Sequence, residues 1–202
     1  MATKKKLESK VNNNVYKMVT IAMLTAIAEV LYMLDFPIFS GPFVFLKFDF
    51  SDIAALIGGI TFGPMAGVII EFLKNLIHVF IKGLGSTMGF GDLMNFLVGS
   101  AYIVPFVLCY HEFSKKIKKS VAILISAVIG CFTLIGIGAA ANYFIAPLYF
   151  KYFVSQIITN DFLIGYLSYA CIINVLKGVT LSIVAYPIIL ILVDKLKKVA
   201  KL

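Results

Sequence analysis

An all-α integral membrane protein, a six-transmembrane-helix bundle with N and C termini cytoplasmic, is what three observations predict. Hydrophobic residues make up 61% of the 202 and charged residues only 14%, where a soluble domain carries about a quarter charged; mean hydropathy is +0.99. At roughly 20 residues per span plus short loops, the length allows about six helices and no second soluble domain. The net charge of +8 comes from 18 basic residues, all lysine. They gather before the first apolar run (Lys4 to Lys17), mid-chain (Lys115 to Lys119) and at the end (Lys195 to Lys201). The positive-inside rule puts all three clusters in the cytoplasm.

The elements follow in order. A basic cytoplasmic tail, 1–14, leads into a first helix from about Val15 to Leu34, which continues into a multi-span chain without a small-residue cleavage site and so is expected to stay in the protein. The segment 35–51 is an external loop, interrupted by prolines and glycine. Ser51 or Asp52 caps a second helix, about Asp52 to Thr61, too short to span alone. The Gly63-Pro64 turn separates it from a third, about Met65 to Lys82. An external connection at 83–91 precedes the fourth helix, Asp92 to Phe113; the fifth runs from Ser120 to about Phe144. A third external loop, 146–161, precedes a sixth helix within Leu163 to Lys195. The whole chain, 1–202, is one transmembrane domain in this reading.

Several kinds of chemistry are excluded. There is no GxxxxGK[ST] phosphate loop, and GLGSTMG has the wrong spacing and setting for a dinucleotide fingerprint. HExxH and GxSxG are absent, and the two histidines fall on different helices at opposite expected sides of the membrane. Cys109, Cys131 and Cys171 lack any CxxC or Cys/His spacing and read as small buried hydrophobes. The lysines lie beside apolar spans without interleaved aromatic platforms, so no nucleic-acid groove is indicated. The chain reads as a non-enzyme with no catalytic residues, no metal and no cofactor.

What remains is a polar set inside apolar helices. Glu71, Lys74, Asn75 and His78 fall at i, i+3, i+4 and i+7, one face of the third helix, which must turn toward protein, cavity or water rather than lipid. Asn95, Asn142, Asn174 and Lys177 are placed similarly on later helices. Amides and ammonium groups at these positions suit a hydroxyl-rich ligand, with Phe43, Phe45, Tyr143, Phe144 and Tyr169 offering flat apolar surface; the same amides could also serve as helix-to-helix glue. Ala22 and Ala26 form an AxxxA pair, and Gly59, Gly63 and Gly67 recur every four residues, patterns that let helices approach closely.

The order LKFDFSDIAALIGGITFGPMAGVIIEFLKNLIH, followed by STMGFGDLMNFLVG, resembles the riboflavin-specific substrate-binding subunit, or S component, of energy-coupling factor (ECF) vitamin transporters, over nearly the whole chain. The resemblance implies a multi-pass cell-membrane protein that captures riboflavin, as transported ligand, on the external face. It also implies association with a transmembrane coupling subunit and two cytoplasmic ATPases, consistent with the missing phosphate loop. Ala22 and Ala26 would then contact the coupling subunit. Phe45, Leu46, Lys47, Glu71, Asn75, Asn142, Asn174 and Lys177 would contact the ligand, with Asn142, Asn174 and Lys177 bonding the ribityl hydroxyls or ring edge. A lid formed by the first external loop is expected. Other readings are an S component for a different vitamin, or a small proton-coupled secondary transporter with a path through Glu71, Lys74 and His78. A membrane enzyme acting on lipid or isoprenoid would want clustered acidic metal ligands, whereas Asp35, Asp49 and Asp52 read as solvated or capping residues.

Overall fold

The computed structural model describes residues 2–41, 46–83, 88–153 and 159–193, together with 195, 196 and 198. The first helix, α1, is Ala2–Met33. It is longer than expected because the basic segment 1–14 contains neither glycine nor proline and is rich in good helix formers, so from Ala2 it continues the helix rather than forming a tail. Two-residue strands β1 (Phe36–Pro37) and β2 (Lys47–Phe48) pair antiparallel, Phe36 opposite Phe48. This small ribbon, which helical periodicity could not reveal, ties the two ends of the first loop together.

Helix α2, Asp52–Phe62, has every residue from Asp52 to Thr61 buried. Eleven residues reach only about 16 Å, short of the roughly 30 Å hydrocarbon core, and a helix apolar all round belongs inside a bundle. Ser51 precedes it without a capping bond. Gly63, at φ 100°, makes the turn into α3, Pro64–Lys82, whose proline stands in the first turn, where no N–H is required. A Cβ on Gly67 would come within 2.6 Å of Ile103 and 3.0 Å of the Ala55 carbonyl, so the glycine repeat serves contact among α2, α3 and α4.

Helices α4 (Phe90–Phe113), α5 (Lys119–Phe153) and α6 (Asn160–Ile188) complete the bundle, α4 packing along α5 and α5 along α6. Residues 146–153, expected as external loop, are helical. Ala146, Tyr149 and Phe150 are buried there; Tyr149 stacks on Phe90 at 4.5 Å and Phe150 meets Phe162 and Tyr166 edge-on. This aromatic packing holds the helix together past Pro147. Helix α6 starts earlier than Leu163 because the Thr159 side chain accepts from Phe162 N and Asp161 lies in the first turn. After Pro187 it ends in a π-helical turn, Ile189–Val193. Among the described residues five helices, α1 from Asn13 onward and α3 to α6, are long and apolar enough to cross a membrane.

Candidate binding pocket

The site lies at the end of the bundle where α1 and α3 finish and α4 and α6 begin. On α1, Thr25, Glu29 and Tyr32 turn inward at helical spacing and are buried. The stripe anticipated on α3 is buried too: Glu71 and Lys74 are fully enclosed and Asn75 and His78 nearly so. Their charges are met from neighbouring elements. Lys74 Nζ lies 2.5 Å from Asp52 Oδ1, 2.5 Å from Ser51 Oγ and 2.8 Å from Glu71 Oε2. Lys177 Nζ on α6 is 3.0 Å from Asp52 Oδ2, 3.3 Å from Asn95 Oδ1 and 3.4 Å from Asp49 Oδ2. Asp49 accepts from the Ser51 amide and hydroxyl and from Asn95 Nδ2. Asp49 and Asp52, expected to be solvated or capping, are buried counter-ions; two ammonium groups in a low-dielectric interior require them. A Cβ on Gly99 would stand 2.7 Å from Glu71 Oε2, so α4 carries a glycine where the cluster fills the space.

A second cluster joins α1, α3 and α4. His78 Nδ1 is 3.0 Å from Glu29 Oε1, the His78 ring stacks on Tyr32 at 3.9 Å, and the Tyr32 hydroxyl donates to Asp92 at 3.1 Å.

Above these clusters opens a cavity of about 230 Å³. Its apolar wall includes Leu46, Phe90, Met94, Val98, Ala170 and Ile173; its polar groups include Tyr32, Asp49, His78, Asp92, Asn95, Asn142, Tyr166, Asn174 and Lys177; and Asp35, Lys47 and Lys82 stand at the mouth. Asn142 Nδ2 donates to the Gly138 carbonyl at 2.8 Å while its oxygen accepts from the Tyr166 hydroxyl, an arrangement that fixes the amide and leaves one N–H for a guest. Asn174 Nδ2 is buried with no partner among the described residues. Space for Asn174 comes from Gly138, where any Cβ would press on that amide.

Of the residues anticipated from sequence, Leu46, Lys47, Asn142, Asn174 and Lys177 line the cavity. Phe45 and Phe43 lie outside the described residues. Glu71 and Asn75 do not line it: Glu71 is about 10 Å below His78 along α3, and Asn75 Nδ2 is spent on the Glu71 carbonyl at 2.7 Å. Tyr143, Phe144 and Tyr169 are 54%, 69% and 39% exposed on the bundle exterior; each is one residue or more out of register with the inward-facing asparagines. The aromatic groups at the pocket are instead Tyr32, Phe90 and Tyr166. Tyr32 and Tyr166 fall at inward helical spacing from Glu29 and from Asn174, a signal the sequence does contain. Ala22 and Ala26 are exposed on the outer face of α1 beside Met18, Met23 and Ile27. The three cysteines are half-buried free thiols rather than fully buried ones.

A family model described as ECF transporter, substrate-specific component, matches residues 16–189. The chain belongs to that family. This S component is 34% identical over 171 residues to the riboflavin transporter RibU of Staphylococcus aureus (strain TCH60), covering 83% of this chain and 85% of that protein. It is 30% identical over 172 residues to the riboflavin transporter FmnP of Bacillus subtilis (strain 168), covering 84% and 88%. Its fold matches a solved S component of a bacterial ECF transporter with a TM-score of 0.70 at 30% identity, over 90% of this chain and 97% of that one. It is therefore a multi-pass cell-membrane protein and a transporter component, not an enzyme.

Proposed function

We propose that this S component captures riboflavin from outside the cell and delivers it through an ATP-driven ECF module of one transmembrane coupling subunit and two cytoplasmic ATPases. The observation that carries the ligand is the pocket itself: the oriented amide of Asn142, the buried Asn174 amide nitrogen without a partner among the described residues, and the Lys177 ammonium line the same cavity as the aromatic and aliphatic wall of Tyr32, Phe90, Met94 and Val98. A three-ring flavin needs the wall and a polyhydroxyl tail needs the donors. In this reading Leu46, Lys47, Asn142, Asn174 and Lys177 contact the ligand, Phe45 joins them from the first loop, and Glu71 and Asn75 act from below.

In this reading the chain crosses the membrane six times, five times as the long helices α1 and α3 to α6 and once as the short α2 with the segment before it, and both termini lie in the cytoplasm on the side of the Lys115 to Lys119 cluster. The pocket mouth then faces outward. Ala22 and Ala26 present a small-residue strip on which the coupling subunit docks.

Protein purified from cells grown with riboflavin should carry a flavin absorbance between about 350 and 500 nm, and ligand-free protein should quench flavin fluorescence to saturation. For about 27 heavy atoms, roughly 0.3 kcal/mol per atom gives near-micromolar binding; an ordered, closed pocket makes it tighter. Protein that neither carries nor quenches flavin would rule riboflavin out.

A further inference from the structure

We propose that Asp52, assisted by Asp49, is a positioning residue for ligand capture: it fixes the Lys177 ammonium at the pocket floor while remaining outside the pocket itself. The inference rests on the riboflavin reading and adds to it a pair of carboxylates that the expected set of ligand contacts did not include.

Lysine is a flexible point charge with three protons to place. In this protein the ammonium has an oxygen within reach on each of three elements: it forms an ion pair with Asp52 Oδ2 at 3.0 Å on α2, and it hydrogen-bonds Asn95 Oδ1 at 3.3 Å on α4 and Asp49 Oδ2 at 3.4 Å in the segment before α2. Asp52 is the closest and is wholly enclosed, whereas Asn95 and Asp49 line the pocket. An arriving carbonyl or hydroxyl oxygen can replace one of the two long contacts. It cannot reach Asp52, which keeps hold of the ammonium throughout. Asp52 is itself held from behind, because its other oxygen, Oδ1, takes Lys74 at 2.5 Å, and Lys74 in turn takes Glu71 at 2.8 Å. The α3 charges therefore serve the ligand through two intermediates: Glu71 and Lys74 orient Asp52, and Asp52 orients Lys177. Without that hold, the Lys177 side chain would regain its rotamer freedom and lose its aim.

The test is a double-mutant cycle on the full chain in detergent, read by flavin fluorescence quenching and by the visible absorption band of bound flavin. Asp52→Asn keeps shape and removes charge. It should weaken riboflavin binding by about 10- to 100-fold and shift the absorption band when Lys177 is present, but change affinity by less than about threefold in the Lys177→Gln background. Asp52→Glu should recover part of the affinity. Equal losses in both backgrounds would mean a merely structural role and would overturn the proposal, as would full affinity in folded Asp52→Asn. If Asp52→Asn does not fold, Asp49→Asn is carried through the same cycle with the same two outcomes. Wild-type protein that binds no riboflavin overturns the functional reading; wild-type binding with additive losses overturns only the positioning role.

Discussion

Glu29 of α1 and His78 of α3 meet at 3.0 Å, Oε1 to Nδ1, in a buried contact that pins the first helix to the pocket wall. Glu29→Ala leaves His78 without that partner and should destabilise the protein by about 1–3 kcal/mol, seen as a lowered melting temperature. Glu29→Gln, which can still hydrogen-bond, should melt close to wild type.

Tyr166→Phe removes the hydroxyl that holds Asn142 in place. The amide is then free to turn, and flavin affinity should fall by about three- to tenfold, near the 1 kcal/mol of one hydrogen bond. Asn142→Leu should lose more, about 10- to 100-fold, because it removes both the amide donor and the oxygen to which the Tyr166 hydroxyl donates.

Gly138→Ala places a methyl group against the Asn174 amide. Displacing one side chain at its tip is tolerable for folding, so the expected outcome is a protein that melts within a few degrees of wild type and binds flavin at least about tenfold more weakly. Titration and thermal melting on the same sample separate the two effects.

Ala22→Trp and Ala26→Trp put bulk on an uncovered face of α1. Neither side chain approaches the pocket, so flavin binding by the isolated subunit should be unchanged. Co-purification with the coupling subunit and uptake in cells should be lost, since close helix approach needs small residues there.

Lys47 and Lys82 share Asp35 at the pocket mouth, at 2.9 Å and 3.4 Å. Partly exposed pairs are worth less than about 1 kcal/mol, so Asp35→Asn should raise the flavin dissociation rate by no more than about fivefold, with a smaller difference at high salt. Stopped-flow displacement would measure it.

The inward stripe on α3 was legible because charges spaced at i, i+3, i+4 and i+7 within apolar sequence leave one place to go. So was the inward placement of Asn142, Asn174 and Lys177, which line the cavity, since strongly polar groups are few in otherwise lipid-compatible helices. The roles of Asp49 and Asp52 were not. Their partners lie on other helices, Lys177 being 128 residues from Asp49, and an aspartate at the edge of a loop looks the same whether it meets water or a buried ammonium. The assignment of Tyr143 and Phe144 failed for a different reason: they adjoin Asn142 in sequence, but each step along a helix turns the side chain by about 100°, and theirs are exposed. The helical extension through Phe153 depends on tertiary packing against Phe90 and Tyr166, which no local pattern announces.

The buried α2 helix also sets an order of events during synthesis. Asp52 enters the membrane long before its α6 partner exists, since at about 5–20 residues per second the intervening chain takes on the order of ten seconds to emerge. Lys74, only 22 residues further on, is the first cation to arrive, and in the α2–α3 hairpin this one ammonium meets both Asp52 and Glu71. A nascent chain stopped before α6 would hold Asp49 by Ser51 and Asn95 alone, without the Lys177 ammonium. The Lys177 ammonium at the pocket floor is thus also the last charge to reach the buried cluster.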